Sequence, residues 1–336
     1  MLAVRIERPG AVSLVRVEDP APAPDEVVVE VAACGVCGTD LHIVDGEFPP
    51  APYPIVPGHE AAGTVVRVGG AIDDIAPGTR VGIDPSLFCG ACRFCRVDRG
   101  NLCDRWGAIG DTRDGAMAQS VSVPRRNVYP VPASMSFEAA ALIEPVSCAV
   151  HALDRFPVTV GDEVLVCGAG TMGLIMAELI QASGAVRVAL VDVNEGRLRR
   201  AGEMGFQDVA ESVAAVCADG SRFDRVVDAT GVPAVLQEGI GAVRKGGSVL
   251  IFGVAPAGSL IAVEPFRVYN EEITLVGSMA VLGSYGRALD LVAHGMINAQ
   301  ALVTHRFPLE EFDAALAAAR KGAGLKVQIV APVATA

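Results

Sequence analysis

The chain has 336 residues, 51% of them hydrophobic and 20% charged, with a formal net charge of −12. That length suits two domains, the composition excludes a disordered chain, and so acidic a surface disfavours a nucleic-acid backbone or an anionic membrane as partner. The longest uncharged stretch, Gly246–Val263, holds four Gly, one Pro and two Ser in 18 residues, so it reads as strand, turn and strand and not as a membrane span. The opening MLAVRIERPG has two arginines, a glutamate and no long apolar run, unlike a secretory signal, and a soluble cytoplasmic protein is expected.

In chain order, the first third reads as β-rich. Val27, Val29 and Val31 alternate with Val28 and Glu30, and Gly63–Val68 and Arg80–Ile83 are further short strands between Gly, Pro and Asp turns. Pro49, Pro50, Pro52, Pro54 and Pro57 make a stiff loop that cannot be helical. After about Ala139 the texture changes. Val164–Cys167, Val188–Val191, Arg225–Asp228, Ser248–Phe252 and Ile273–Val276 are apolar strands separated by helical or loop segments, with a weaker one near Asp208–Ala210. Strands apolar on both faces and alternating with helices predict a doubly wound parallel α/β sheet. Glu310–Lys321 has the pattern of an amphipathic helix, closed by Gly322.

The segment Val164–Gly173 runs a strand into Gly168-Ala-Gly170-Thr171-Met172-Gly173. Such glycines permit a tight turn, close approach of backbone to a pyrophosphate and close packing of the helix that follows, here Leu174–Ser183 ended by Gly184. Asp192, at the end of the next strand, is placed to accept from both ribose hydroxyls and to repel a 2′-phosphate, which favours NAD over NADP. Arg197, five residues on, could reach a phosphate, although it reads more simply as a helix-surface residue.

Nine cysteines in an acidic intracellular chain point to metal or catalysis more than to disulfides. Cys89, Cys92, Cys95 and Cys103 put four thiols in one lobe, the ligand set of a closed, structural zinc site. The arginines of that lobe are offset by Asp98 and Asp104, against a nucleic-acid role. A second set is dispersed: Cys37 in CGVCGTDLH, His59 and Glu60 in PGHE, and Glu144 in LIEPV. Spacing alone leaves that second set open, because a single His is often structural and Glu144 could serve the start of a helix before Pro145.

CGVCGTDLH, PGHEAAGTV, CGACRFCRVDRGNLC, ALIEPVSCAVHAL, VLVCGAGTMG with Asp192, and ALVTHRFPLEEFDAAL occur in that order. Through them the chain resembles the zinc-dependent medium-chain dehydrogenases, and within these the polyol (sorbitol) dehydrogenase branch, over nearly its whole length. The resemblance implies a β-rich, GroES-like catalytic domain over residues 1–146, a Rossmann cofactor domain over 147–279, and a segment 280–336 that completes the catalytic domain. It implies a catalytic zinc held by Cys37, His59 and either Glu60 or Glu144. It also implies a proton relay from Thr39 through the cofactor ribose to His42, with Glu60 beside the reacting centre. Cys34 and Cys148 match no ligand and read as packed thiols.

One departure bears on substrate. Sorbitol dehydrogenases carry an Arg–aromatic pair just after the last cofactor-domain strand, where this chain has Gly277-Ser-Met279-Ala280. Trp106, Ile109, Phe48 and Met279 are candidates to line a partly apolar pocket instead. The expectation is a homodimeric or homotetrameric dehydrogenase with two zincs, passing a hydride from a secondary alcohol or polyol to NAD. The alternatives are an NADP-linked ketone reductase and a catalytically silent NAD-binding structural or regulatory protein.

Overall fold

A computed structural model describes residues 1–48, 51–322 and 324–331. Pro49 and Pro50 of the proline loop lie outside the described residues; residues 51–57 contain no helix. The chain divides into two compact units, Met1–Ser147 with Val281–Gly295 and Ala299–Ala336, and Cys148–Ala280 with Met296–Asn298.

The first unit is built on a mostly antiparallel sheet in the order Val303–Phe307, Lys326–Val330, Glu26–Val36, Glu60–Val68, Arg80–Ile83 and Val128–Pro130, with Ser120–Pro124 also pairing Glu26–Val36. Strands from the end of the chain thus extend the sheet begun near its start. Glu26–Val36 was expected to alternate in exposure, yet Val28 is as buried as Val27 and Val29, and only Glu30 is exposed. Val27, Val29 and Val31 belong to a hydrophobic cluster that includes Phe312 and Leu316 of the helix Phe312–Lys321, whereas Val28 is flanked in the sheet by Arg67 and Ser122 of the strands on either side. A hairpin of Leu2–Arg8 and Ala11–Arg16 precedes the sheet. The sequence reading did not place strands there, and in the structure the second one is only partly buried.

The second unit is a fully parallel sheet in the order Val209–Ala210, Arg187–Val191, Glu163–Cys167, Phe223–Asp228, Val243–Ile251 and Thr274–Gly277. Numbered along the chain this is 3-2-1-4-5-6, the Rossmann order, so the second unit is a doubly wound α/β sheet and the first is β-rich, as the sequence predicts. One detail differs. Gly246–Val263 yields a single strand end, and residues 252–264 form no second strand. Ile261 and Val263 pack against the sheet's core without joining its ladder, and Pro265 then opens a short helix.

Candidate metal centres and dinucleotide loop

The four-cysteine lobe closes on itself. Cys92 Sγ lies 3.5 Å from Cys95 Sγ and 3.9 Å from Cys103 Sγ, and Cys89 Sγ is 3.9 Å from Cys95 Sγ. Four sulfurs around one ion at about 2.3 Å stand roughly 3.8 Å apart, so the thiols already outline a tetrahedron that fits zinc. Short 3₁₀ turns, Cys95–Val97 and Gly100–Leu102, fold the lobe back. Backbone N–H groups of Ala91 and Cys92 donate to Cys89 Sγ at 3.4 and 3.3 Å, and that of Arg105 to Cys103 Sγ at 3.3 Å. These bonds hold the Cys89 thiol below its ordinary pKa, while burial and the neighbouring sulfurs push Cys95 up.

The mixed cluster is assembled by the sheet. Cys37 follows the strand Glu26–Val36 and caps the helix Gly38–Asp45. Glu60 opens the adjacent strand Glu60–Val68, and His59 directly precedes it. One donor atom from each of Cys37, His59 and Glu60 lies within 4.8 Å of the others. One thiolate, one imidazole and one carboxylate are the donor types of an open catalytic zinc site. Asp40, fully buried, ties the cluster together: Oδ2 accepts from Cys37 N at 2.8 Å and Oδ1 from Gly58 N at 3.2 Å. Burial pushes its carboxyl up to about 6.

Of the two glutamates considered for this set, Glu60 has a carboxylate oxygen grouped with Cys37 and His59. Glu60 follows His59 directly, whereas Glu144 enters in the first turn of the helix Ile143–Arg155. Glu60 is held by two features that sequence reading did not single out. Lys326 Nζ donates to both its carboxylate oxygens at 2.7 Å. Gly35 faces Glu60 in the ladder, and a Cβ there would fall 1.9 Å from Glu60 Oε2. A larger residue there would force that carboxylate to move. Burial opposes a charge on Lys326, but Glu60 and Cys37 outweigh it and hold the ammonium above its ordinary pKa. Burial likewise opposes a charge on His59, and Asp111 and Cys37 beside it raise its pKa well above 6.5.

Thr39 Oγ1 lies 3.9 Å from Cys37 Sγ. His42 is exposed on the same helix, with Nδ1 2.9 Å from Glu47 Oε2. Among the residues considered for an apolar pocket, Ile109 is instead 1% exposed within the hydrophobic core, where it packs beside Met117 and Val56. Cys34 is fully buried, and Cys148 is half-buried.

In the parallel-sheet unit, Gly168 takes φ +103°, and a Cβ on Gly173 would lie 1.8 Å from Gly168 O, so close turn and close packing both need glycine there. Gly170 caps the helix Thr171–Ala182, whose first residues are Thr171 and Met172. Asp192 Oδ2 accepts from Ala169 N at 2.9 Å and Oδ1 from Asn194 N at 2.9 Å, which pins the loop to the end of the second strand. Arg197 is not a free surface residue. Its guanidinium lies 3.4 Å from Asp192 Oδ2, next to Gly170, and its backbone N–H donates to the side chain of the helix cap Asn194.

Residues 23–133 match the alcohol dehydrogenase GroES-like domain and residues 171–294 the zinc-binding dehydrogenase domain. D-arabinitol dehydrogenase 1 of Uromyces fabae is 36% identical over 94% of this chain and 93% of its own length. Sorbitol dehydrogenase of Bos taurus is 33% identical over 98% and 95%. A zinc-binding dehydrogenase of Sinorhizobium meliloti 1021, solved with NADP bound, superposes with a TM-score of 0.94 at 34% identity over 98% of both chains. Similarity at this level across both units, and over almost all of each relative, leaves one assignment: the chain belongs to the zinc-dependent medium-chain dehydrogenase/reductase family, on its polyol dehydrogenase-like branch.

Proposed function

We propose that the protein is an NAD-dependent dehydrogenase of secondary alcohols or polyols, with one zinc at Cys37, His59 and Glu60 and a second at Cys89, Cys92, Cys95 and Cys103. The convergence of Cys37, His59 and Glu60 carries this reading, because a closed four-thiolate site alone offers no place for a substrate. A zinc ion held by these three residues would supply a Lewis acid for an alcohol oxygen, and a bound nicotinamide would supply the hydride acceptor for oxidation of the carbinol to a ketone. The chain does the rest. Asp40 and Lys326 fix the ligands, Thr39 accepts the hydrogen bond of the alcohol hydroxyl, and His42, open to solvent beside Glu47, passes the proton out. Two zincs per chain by metal analysis, and NADH formation in a screen of polyols, cyclitols, amino alcohols and simple secondary alcohols, are the expected results. A fully zinc-loaded chain that turns over none of them would instead support a silent NAD-binding protein.

Cofactor choice rests on Asp192. A carboxylate at the adenosine ribose gains charge-assisted bonds from its hydroxyls and repels a 2′-phosphate. A preference of at least about tenfold for NAD requires only ~1.4 kcal/mol. The pairing of Arg197 with Asp192 favours the second reading, an NADP-linked ketone reductase, since the guanidinium is already beside the loop. Asp192→Ala should shrink an NAD preference. A higher kcat/KM with NADP in the unmutated enzyme would instead give the site to Arg197.

The edge strand Thr274–Gly277 and the exposed Phe266, Tyr269 and Leu275 near it support a homodimer or homotetramer, tested by sedimentation at micromolar concentration. Nine free thiols suit the reducing cytoplasm.

A further inference from the structure

A histidine binds a metal through one ring nitrogen and must satisfy the other. His59 Nδ1 faces two carboxylates, Asp111 Oδ1 at 3.1 Å and Asp40 Oδ1 at 3.9 Å. Asp40 is already engaged, since its two oxygens accept from Cys37 N and Gly58 N. Asp111 is not. Among the described residues, neither Asp111 Oδ1 nor His59 Nδ1 has another hydrogen-bond partner, and both atoms are buried. Their contact lies off the line of a straight hydrogen bond, which a small rotation of the ring corrects.

The backbone around Asp111 is built to reach His59. Gly110 and Gly115 stack on Gly58, the residue before His59. A Cβ on either would come within 2.4 Å of Gly58 O. Gly115 N donates to Val56 O at 2.8 Å, Ala116 N to Gly58 O at 2.9 Å and Met117 N to Pro57 O at 2.9 Å. Asp114 Oδ1 accepts from Val56 N at 2.9 Å. The turn is therefore fastened along residues 56–58 without help from Asp111. The Asp111 side chain is free to do one thing, which is to meet the imidazole.

We propose that Asp111 is a positioning residue of the mixed cluster: its Oδ1 accepts a hydrogen bond from His59 Nδ1–H, fixes that tautomer, and leaves Nε2 as the ring nitrogen with a lone pair for the metal. The proposal rests on reading Cys37, His59 and Glu60 as a zinc site. The experiment measures zinc affinity by chelator competition in the unmutated chain, Asp111→Asn and Asp111→Ala, with the four-cysteine zinc as internal reference. Loss of such a partner typically costs 10–100-fold in metal affinity. Asp111→Ala should therefore weaken the second zinc by about that factor while the lobe zinc is unchanged. Asp111→Asn, whose amide oxygen still accepts, should lose less. Once chelator has removed the zinc of the mixed cluster, nitrogen-15 shifts of the His59 ring should show protonated Nδ1 in the unmutated chain and a mixed tautomer in Asp111→Ala, a change that a purely structural role would not produce. If Asp111→Ala fails to fold, the Asp111→Asn affinity and ring shifts decide. Two zincs in the unmutated chain with undiminished affinity in the variants would overturn the role of Asp111 alone. A single zinc in the unmutated chain would overturn the metal-site reading and the proposal with it.

Discussion

The four-cysteine lobe and the Cys37–His59–Glu60 cluster belong to the same unit and are built by opposite means. The lobe draws all its donors from Cys89–Cys103 and stabilises them with its own backbone N–H groups. The mixed cluster takes its donors from a helix cap and the start of a strand. It holds them with Asp40, Asp111 and Lys326, the last 266 residues from Glu60 in the chain. In the lobe a metal must supply what packing does not, because the lobe has few buried side chains of its own. In the mixed cluster the fold comes first and the donors are set upon it. A metal should therefore matter for stability in the first and for reaction in the second.

The largest test of that contrast is a pair of single substitutions. Cys37→Ser should lose one zinc and at least about 10²–10³-fold in turnover, the scale of removing a main electrostatic partner of the transition state. Its melting curve should change little. Cys95→Ser should lose the other zinc and several kcal/mol of stability, because closed thiolate sites contribute folding energy directly. Reversal of the two phenotypes would undo the comparison.

Next in size is the buried ion pair. Lys326 and Glu60 are 5% and 1% exposed, so Lys326→Met leaves a buried carboxylate without its cation. Breaking such a pair costs about 3–5 kcal/mol. Metal-free Lys326→Met should melt correspondingly lower, and Lys326→Met with Glu60→Gln should recover much of the loss. Equal destabilisation in the single and double variants would show that the pairing with Glu60 is not what Lys326 provides.

A smaller effect is expected at Gly35. An added Cβ meets the Glu60 carboxylate, not backbone, so Gly35→Ala can be accommodated by moving that carboxylate. The cost should be about 1–3 kcal/mol, typical of overpacking, with weaker zinc binding in the mixed cluster and none lost from the lobe. Metal analysis of the purified variant separates the two sites.

The contrast also explains what was legible in the sequence. A donor set confined to one loop is visible as spacing, and so is a glycine loop between a strand and a helix. The parallel strands were visible as apolar runs, because both their faces are covered. How Glu60 is held was not visible, since it depends on register: Gly35 opposite Glu60, and Val327 opposite Val36 bringing Lys326 alongside. Asp111 was hidden for the same reason, because its approach to His59 is created by glycine contacts between two distant turns. Arg197 was open to two readings, reaching the cofactor or facing solvent, because its ion pair with Asp192 is a contact that the helix's own periodicity does not show.

The smallest prediction asks what Lys326 does for a carboxylate by examining one that receives only a backbone donor. Glu178, on the helix Thr171–Ala182, accepts from Asn298 N at 3.2 and 3.3 Å. Burial pushes its carboxyl from 4.5 up to about 7, against the opposing effect of that N–H. A carboxyl whose folded pKa is raised holds its proton more tightly in the native than in the unfolded chain. Its penalty is absent below the unfolded value, grows as pH rises from 4.5 to about 7, and is constant above that. Because the group is partly exposed, the full penalty should be no more than about 1–2 kcal/mol. Glu178→Gln keeps an acceptor for Asn298 N and removes the charge. The variant should therefore be more stable than its parent by that amount at pH 8 and equal to it at pH 4. Zinc loss in acid affects both proteins alike and cancels in the difference. Parallel stability curves across this range would mean that Glu178 is solvated well enough to ionise freely, and that burial without a cation is not what distinguishes it from Glu60.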